Sequence, residues 1–199
     1  MKTDDKRAGQ REALVTAAEQ IIAAQGLEGL KARDLATSIG CSVGGVYNLV
    51  DDLDELILRV AARTLLRLNE ALDAADERGA AAPTERLCAI AIAYCRFARA
   101  NKRLWRALFD HRMAADSALP EWLAELQFGL FTHITGPLGQ LLPEKVPAEL
   151  EMLSRTLFSA VHGVVAIGLD EKLLAVPIDA LEDQLVAFLQ AMCRGLRQS

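Results

Sequence analysis

The sequence predicts an all-α protein of about nine helices, in which a three-helix head at the N-terminus is joined by one long helix to a larger helical body. Apolar residues make up 52% of the 199 residues, whereas aromatic residues make up only 5%. Most of the apolar residues are Ala and Leu, which favour helix because unbranched side chains lose little rotamer freedom there. Between the Gly and Pro residues they recur at helical spacing, and no stretch alternates apolar and polar residues as a half-buried strand does.

The head is predicted at residues 1–52 and begins with a helix over 11–25. This helix has four apolar residues on one face, and Gly26 follows it as a plausible C-cap. Two short helices are expected over 32–39 and 43–49, on either side of a tight turn.

A long helix over residues 52–78 carries an apolar stripe from Leu53 to Leu72. Its start lies beside the head, so the sequence predicts a body at 53–199 that is rigidly coupled to the head. Five further body helices are expected between the Gly and Pro residues, over 84–100, 102–109, 121–135, 148–169 and 178–196.

Residues 33–49, RDLATSIGCSVGGVYNL, carry the pattern of a helix-turn-helix. Ala36 supplies the small side chain that two steeply crossing helices need, and Gly40 supplies positive φ at the turn four residues later. Ser42 is well placed as the N-cap of the second helix. Because these separate requirements are met in one register, a helix-turn-helix is favoured over an ordinary αα-hairpin.

The motif and its surroundings resemble the TetR family of transcriptional regulators from about Arg11 to Val60. The similar segments are ARDLA at 32–36, GCS at 40–42, VYN at 46–48 and DLDELI at 52–57. The resemblance implies a ligand-responsive regulator, in the usual case a repressor, that binds a palindromic DNA operator as a homodimer. In the body, WRALFDHR at 105–112 and SAVHG at 159–163 are similar to the type named for a Trp-His-Gly triplet, with Val161 in place of the Trp.

The residues that the resemblance places on double-stranded DNA lie at the start of the first motif helix and along the second. They are Lys31, Arg33, Ser42, Val43, Gly44, Gly45, Tyr47 and Asn48. Val43 and Gly45 stand where the family often has basic and hydroxyl side chains, so methyl contacts and DNA shape are expected to contribute to recognition. Asp51 and Asp52 replace a basic residue that is common there, and Asp51 is a candidate cap of the long helix.

The resemblance also implies a cavity between body helices that takes a small apolar or amphipathic effector. The candidate lining residues are Phe97, Trp105, Phe109, Phe128, Phe131 and His162. Packing in an ordinary core explains any one of these aromatic residues equally well. A hydrogen-bonded core histidine explains His162 in the same way, and the two alternatives stay open.

The last two helices are the dimer interface that the resemblance implies, and each carries an apolar stripe. The candidate interface residues are Leu153, Leu157, Val161, Val164, Leu181, Leu185, Phe188 and Met192. The pattern does not separate an interface from burial inside one subunit.

The formal net charge of −5 belongs entirely to residues 50–199, because six basic and six acidic residues cancel within residues 1–49. The head is therefore not strongly basic. This leaves a second function open, a dimeric helical protein that binds a small molecule and has little or no sequence-specific DNA binding.

Other classes of function have little support in the sequence. No nucleophile elbow, zinc-protease, P-loop or dinucleotide motif is present, so we expect no enzyme and no cofactor. Three His and four Cys residues lack metal-ligand spacing, and the cysteines are expected to be reduced. The N-terminal MKTDDKRAGQRE lacks an apolar signal region, and the apolar stretch at 157–169 is short for a membrane span. We therefore expect a cytoplasmic protein.

Overall fold

The computed structural model describes residues 2–77, 82–113, 119–171 and 175–198. Within these residues the chain forms nine α-helices and no strand, which confirms the predicted fold class. The helices are α1 (Lys2–Gln25), α2 (Ala32–Ile39), α3 (Val43–Tyr47), α4 (Leu53–Glu77), α5 (Pro83–Ala100), α6 (Lys102–Asp110), α7 (Glu121–Leu141), α8 (Pro147–Leu169) and α9 (Leu181–Leu196). Short 3₁₀ turns at Leu27–Gly29 and Ile178–Ala180 precede α2 and α9, and residue 78, the predicted end of the long helix, lies outside the described residues.

The helices form two compact units, and neither unit is a single continuous stretch of sequence. The first unit consists of Met1–Leu66 and Asn101–Leu123, and the second of Arg67–Ala100 and Ala124–Ser199. α4 contributes residues to both units, whereas α6 belongs to the first. The predicted functional boundary after residue 52 stays a prediction.

The first unit has its own core, built from α1, α2, α3, the first part of α4 and α6. Leu14, Leu35, Val46 and Leu56 are fully buried in this core. Leu104 and Ala107 of α6 belong to the same cluster. The helix-turn-helix is therefore supported by α6 as well as by the helices next to it in sequence.

In the second unit, α5 packs against α8 and α9. α8 and α9 approach closely at Gly168, where an added Cβ would lie 2.5 Å from Leu181 Cδ2. In the first turn of α5, Arg86 donates two hydrogen bonds of 2.7 Å to Asp76 of α4 and a third, of 3.0 Å, to Gln140 of α7. This cluster ties three helices of the unit together.

Two helices extend beyond their predicted bounds. α1 begins at Lys2 rather than near residue 11, and α7 continues through Pro137 instead of ending before it. Pro137 lacks an N–H and so removes one helical hydrogen bond. The neighbouring Leu138 and Leu142 are almost fully buried, and their packing outweighs that loss.

α8 is long and apolar enough to cross a membrane by length and composition alone. Core helices of globular proteins share these properties, so a single such helix is weak evidence. Leu157, Val161 and Val165 of α8 are buried in the protein itself.

Candidate nucleic-acid interface and ligand site

The turn of the helix-turn-helix has the predicted backbone geometry. Gly40 has φ 68° and ψ 38°, in the left-handed region that glycine adopts without strain. The Cys41 N–H then donates to the Ala36 carbonyl at 2.9 Å and closes the end of α2. The Ser42 hydroxyl accepts a hydrogen bond of 3.1 Å from the Gly45 N–H, which caps α3. Both sequence predictions, the Gly40 turn and the Ser42 cap, are confirmed.

The first turn of α3 is packed tightly against the turn that precedes it. A Cβ added at Gly45 would lie 3.2 Å from both Cβ and Sγ of Cys41, closer than most real contacts. A side chain at this position would therefore push Cys41 aside. At Gly44 an added Cβ would meet only Ser42 Oγ, at 3.9 Å.

Two arginines of α1 hold the other end of α3. Arg7 donates to the Asn48 carbonyl at 2.8 Å, and Arg11 Nε donates to the Leu49 carbonyl at 2.7 Å. Carbonyls at the end of a helix have no partner within the helix, and cationic donors stabilise them. These contacts explain why α1 starts earlier than its apolar pattern indicates.

The acidic residues after α3 have a local structural role. The Glu55 N–H donates to Asp52 Oδ1 at 2.7 Å, so Asp52 rather than Asp51 caps α4. Glu55 accepts in return from the Asp51 N–H at 2.6 Å and pairs with Arg59. Burial alone would raise the pKa of Glu55, but the Asp51 N–H and Arg59 outweigh it and lower the pKa below its ordinary value.

Further arginines brace α1 against two other helices of the first unit. Arg63 of α4 pairs with Glu12 at 2.5 Å and with Glu19 at 3.2 Å. Arg103 of α6 donates to the carbonyls of Ala23 and Ala24 at the C-terminal end of α1. α1 is thus fixed along much of its length.

The predicted DNA-contacting residues lie together on α2, α3 and the turn between them. Seven of the eight are exposed, and Gly45 is half-buried. Val43 and Tyr47 are 41% and 47% exposed, so both side chains are accessible to a partner. Their contact with DNA stays a prediction.

The second unit contains a cluster of aromatic rings around one hydrogen bond. Tyr94 Oη and His162 Nδ1 are 2.8 Å apart. Phe158 contacts both rings, and Phe131 packs edge-on against Phe158 with centroids 5.5 Å apart. Burial lowers the pKa of His162, so the ring is neutral near pH 7.

A groove of about 480 Å³ lies beside this cluster, between α7 and α8. Its lining residues are Phe128, Phe131, Thr132, Thr135, Pro147, Leu150, Glu151, Ser154 and Arg155. The volume falls in the range of small-molecule sites. Phe131 belongs to both features, since it lines the groove and packs against Phe158 of the cluster.

The structure brings together only part of the predicted pocket. Phe131 and His162 meet through Phe158, and Phe128 lines the groove, where it is 63% exposed. Phe97 is half-buried on α5, in the same unit. The remaining two predicted residues are in the first unit, where the rings of Trp105 and Phe109 pack at 5.4 Å. The pocket role of all six stays a prediction.

Sequence reasoning left Tyr94 and Phe158 out of the pocket, although both belong to the aromatic cluster. Phe158 and His162 are four residues apart on one helix and therefore share a face. That spacing was a usable indication in the sequence. The pairing of Tyr94 with His162 joins residues 68 positions apart and has no local pattern.

Four of the eight predicted interface residues, Leu157, Val161, Leu181 and Leu185, are buried within the chain itself, in the core of the second unit. Phe188 is exposed, and the other three, Leu153, Val164 and Met192, are half-buried. The interface role of the eight residues stays a prediction.

Among the described residues, no group of three or more His, Cys, Asp or Glu side chains has the arrangement of a metal site. All four cysteines are free thiols in the described structure. Burial raises the pKa of Cys88, Cys95 and Cys193, so these thiols are poorly reactive.

The fold and the exposed α3 define a helix-turn-helix protein whose second unit is a separate helical body. A family model described as the C-terminal domain of tetracyclin repressor-like proteins matches residues 87–192, more than half of the chain. The chain belongs to the TetR family of transcriptional regulators. The match does not address the Trp-His-Gly type of body, which stays a prediction.

Solved structures share the fold at low sequence identity. A protein of unknown function from Rhodococcus sp. RHA1 is 24% identical with a TM-score of 0.75, and the match covers 94% of each chain. A transcriptional regulator from the same organism is 23% identical with a TM-score of 0.65, covering 93% of this chain and 96% of that one. RolR in complex with resorcinol is 17% identical with a TM-score of 0.68, covering 95% and 89%. No curated protein matches the sequence.

Proposed function

We propose that this protein is an effector-responsive repressor that acts in the cytoplasm and binds a palindromic DNA operator as a homodimer. The observation that carries the proposal is the left-handed Gly40 turn, which leaves α3 exposed next to the cationic start of α2. This is the arrangement with which a helix-turn-helix enters the major groove.

Electrostatics supports DNA as the partner in spite of the acidic total charge. Lys31 and Arg33 are exposed at the start of α2, and neither has an ion-pair partner among the described residues. They are therefore free to bind phosphates, and Tyr47 and Asn48 at the other end of the motif provide further donors. The Asp52 carboxylate is directed to α4, because it accepts the Glu55 N–H, whereas Asp51 bonds to Glu55 through its backbone N–H.

The aromatic cluster and the groove are the candidate effector site. The lining is mostly apolar, and its hydroxyl groups donate to carbonyls of their own helices, as Ser154 does to Leu150 at 2.7 Å. A small apolar or amphipathic effector fits this lining better than a strongly polar one. The resorcinol bound by RolR is a molecule of that class.

The proposed homodimer rests on the exposed faces of α8 and α9 rather than on their buried residues. On each helix the exposed positions that follow one stripe are uncharged. They are Met152, Thr156, Ser159 and Ile167 on α8, with the half-buried Gly163 between the last two, and Gln184, Phe188, Ala191 and Gly195 on α9. Met152 and Ile167 are more than half exposed, and small residues between them allow close helix approach. A two-fold interface of this kind suits a palindromic operator.

The competing function, a small-molecule-binding dimer with little sequence-specific DNA binding, has one observation in its favour. The first turn of α3 carries no polar side chain for base recognition. Selection from a random double-stranded DNA library with the full-length protein separates the two functions. We expect enrichment of a palindrome to which binding weakens as salt is added. The slope of log affinity against log salt concentration should fall in size by about 0.9 per half-site in Lys31→Met, and by the same amount in Arg33→Met. A dimer that enriches no sequence would establish the competing function.

A further inference from the structure

Most hydroxyl groups on the exposed motif surface are engaged within the protein. The side chains of Thr37 and Ser38 donate to carbonyls one turn earlier in α2, at 3.0 and 2.8 Å. The Ser42 hydroxyl is held by the Gly45 N–H as the cap of α3. The Thr37 and Ser38 hydroxyls have used their only proton, so of the three only Ser42 keeps a donor for a base edge.

The first turn of α3 presents one side chain only. Val43 is 41% exposed, whereas Gly44 and Gly45 carry no side chain at all. The open space at Gly44 leaves bare backbone next to the valine. The exposed surface at the N-terminal end of α3 therefore consists of one isopropyl group beside bare backbone.

The major groove contains one feature that complements an isopropyl group. Each base pair shows a distinct set of donors and acceptors there, and thymine alone adds a methyl group at C5. The N-terminal residues of the second motif helix are the ones that reach base edges. Gly44 allows that end of the helix to approach closely enough for a side chain as short as valine to make contact.

Building on the proposed DNA-binding function, we propose that Val43 selects a thymine in each operator half-site through contact between its isopropyl group and the C5 methyl. Polar contacts from elsewhere on the motif fix the register, and this apolar contact supplies base discrimination at one position. Burial of one methyl-sized group corresponds to roughly a fourfold change in affinity.

The test removes the methyl group and nothing else. The operator obtained by selection from the random library is resynthesised with uracil in place of each half-site thymine in turn. The affinity of the full-length protein for each duplex is measured by fluorescence anisotropy at one salt concentration. We expect one thymine per half-site at which uracil weakens binding roughly fourfold.

The same series with Val43→Ala assigns the contact to a residue. The variant should bind thymine and uracil at that position equally, whereas Val43→Ile should keep the difference. Val146→Ala removes an exposed valine of the body and should retain the full preference for thymine. Both Val43 and Val146 are exposed, so the substitutions leave the cores intact.

Three outcomes would overturn the inference, and they are distinguishable. A library that enriches no site removes the proposed function and this inference together. An enriched site at which uracil has no effect removes the inference alone. A thymine preference that persists in Val43→Ala shows that another side chain makes the methyl contact.

Discussion

The turn at Gly40 allows a test in which backbone strain is isolated from steric clash. Its φ of 68° is one that L-residues rarely adopt, yet an added Cβ would meet nothing within 4 Å. The cost of a side chain is therefore conformational. A left-handed residue costs roughly 1–2 kcal/mol, and Asn tolerates the region better than Ala or a β-branched residue does.

We expect the loss of unfolding free energy to rise in the order Gly40→Asn, Gly40→Ala, Gly40→Val. The Ala variant should lose about 1 kcal/mol and the Val variant about 1–3 kcal/mol. Operator affinity should fall in the same order while the dimer persists, because strain at the turn misorients α3 but leaves α8 and α9 unchanged.

Both tryptophans, Trp105 and Trp122, lie in the first unit, so urea unfolding followed by tryptophan fluorescence reports on the unit that contains Gly40. Gly9→Ala is the matched control, because Gly9 is an exposed glycine of α1 with open space and ordinary helical backbone. It should stabilise the unit by about 0.5–1 kcal/mol. If Gly40→Asn lost as much stability as Gly40→Val, positive φ would not be the cause.

Three further perturbations test other parts of the structure. Arg11→Met should weaken operator binding without changing the slope of log affinity against log salt concentration, because Arg11 positions α3. Lys31→Met should lower the size of that slope by about 0.9 per half-site. Equal slopes in the two variants would contradict this division of roles. Gly163→Leu should give a monomer of 21.6 kDa by light scattering, because a Cβ added there meets nothing within 4 Å in its own chain and the side chain would enter the proposed interface, while Gly129→Leu, where an added Cβ also meets nothing, should stay dimeric. Burial lowers the pKa of His162 from 6.5, so the unfolded chain takes up the proton first as pH falls, and the free energy of unfolding should drop below about pH 6.5. His162→Asn should flatten that drop in urea titrations between about pH 5 and pH 8, and an unchanged slope would exclude His162 as its source.

Local features of the head could be predicted because the residues themselves dictate them. Positive φ at Gly40 and the cap at Ser42 depend on a few neighbouring residues, and both are found as expected. The early start of α1 depends on Arg7 and Arg11 meeting carbonyls about 40 residues away, at 41 and 38 positions. No short-range pattern contains that information.

The body shows where apolar periodicity stops being informative. Leu157 and Leu185 follow the stripes predicted for a dimer interface, yet both are buried in their own chain. A core and an interface select the same residue types at the same helical spacing, so periodicity finds the apolar face and not its partner. The exposed stripe that includes Met152 and Ile167 became visible only once the position of each helix was known.

The same long-range dependence limits the prediction of the effector site. His162 was a candidate from its place in an apolar helix, and its tyrosine partner lies on α5. Pro137 led to a wrong prediction of the end of α7, because a residue that usually ends a helix lies inside it. In both cases tertiary packing decided the outcome.

The membership of α6 in the first unit matters for anyone who builds chimeric regulators. Recombining a DNA-binding head with a foreign sensor usually assumes that the head is one contiguous N-terminal fragment. Here Leu104 and Ala107 complete its core, and Arg103 caps α1 from the same helix. A fragment cut after Leu66 would expose the α1 surface that these residues cover. A transplantable module from this protein must therefore carry α6, or replace the apolar cover and the cap that α6 provides.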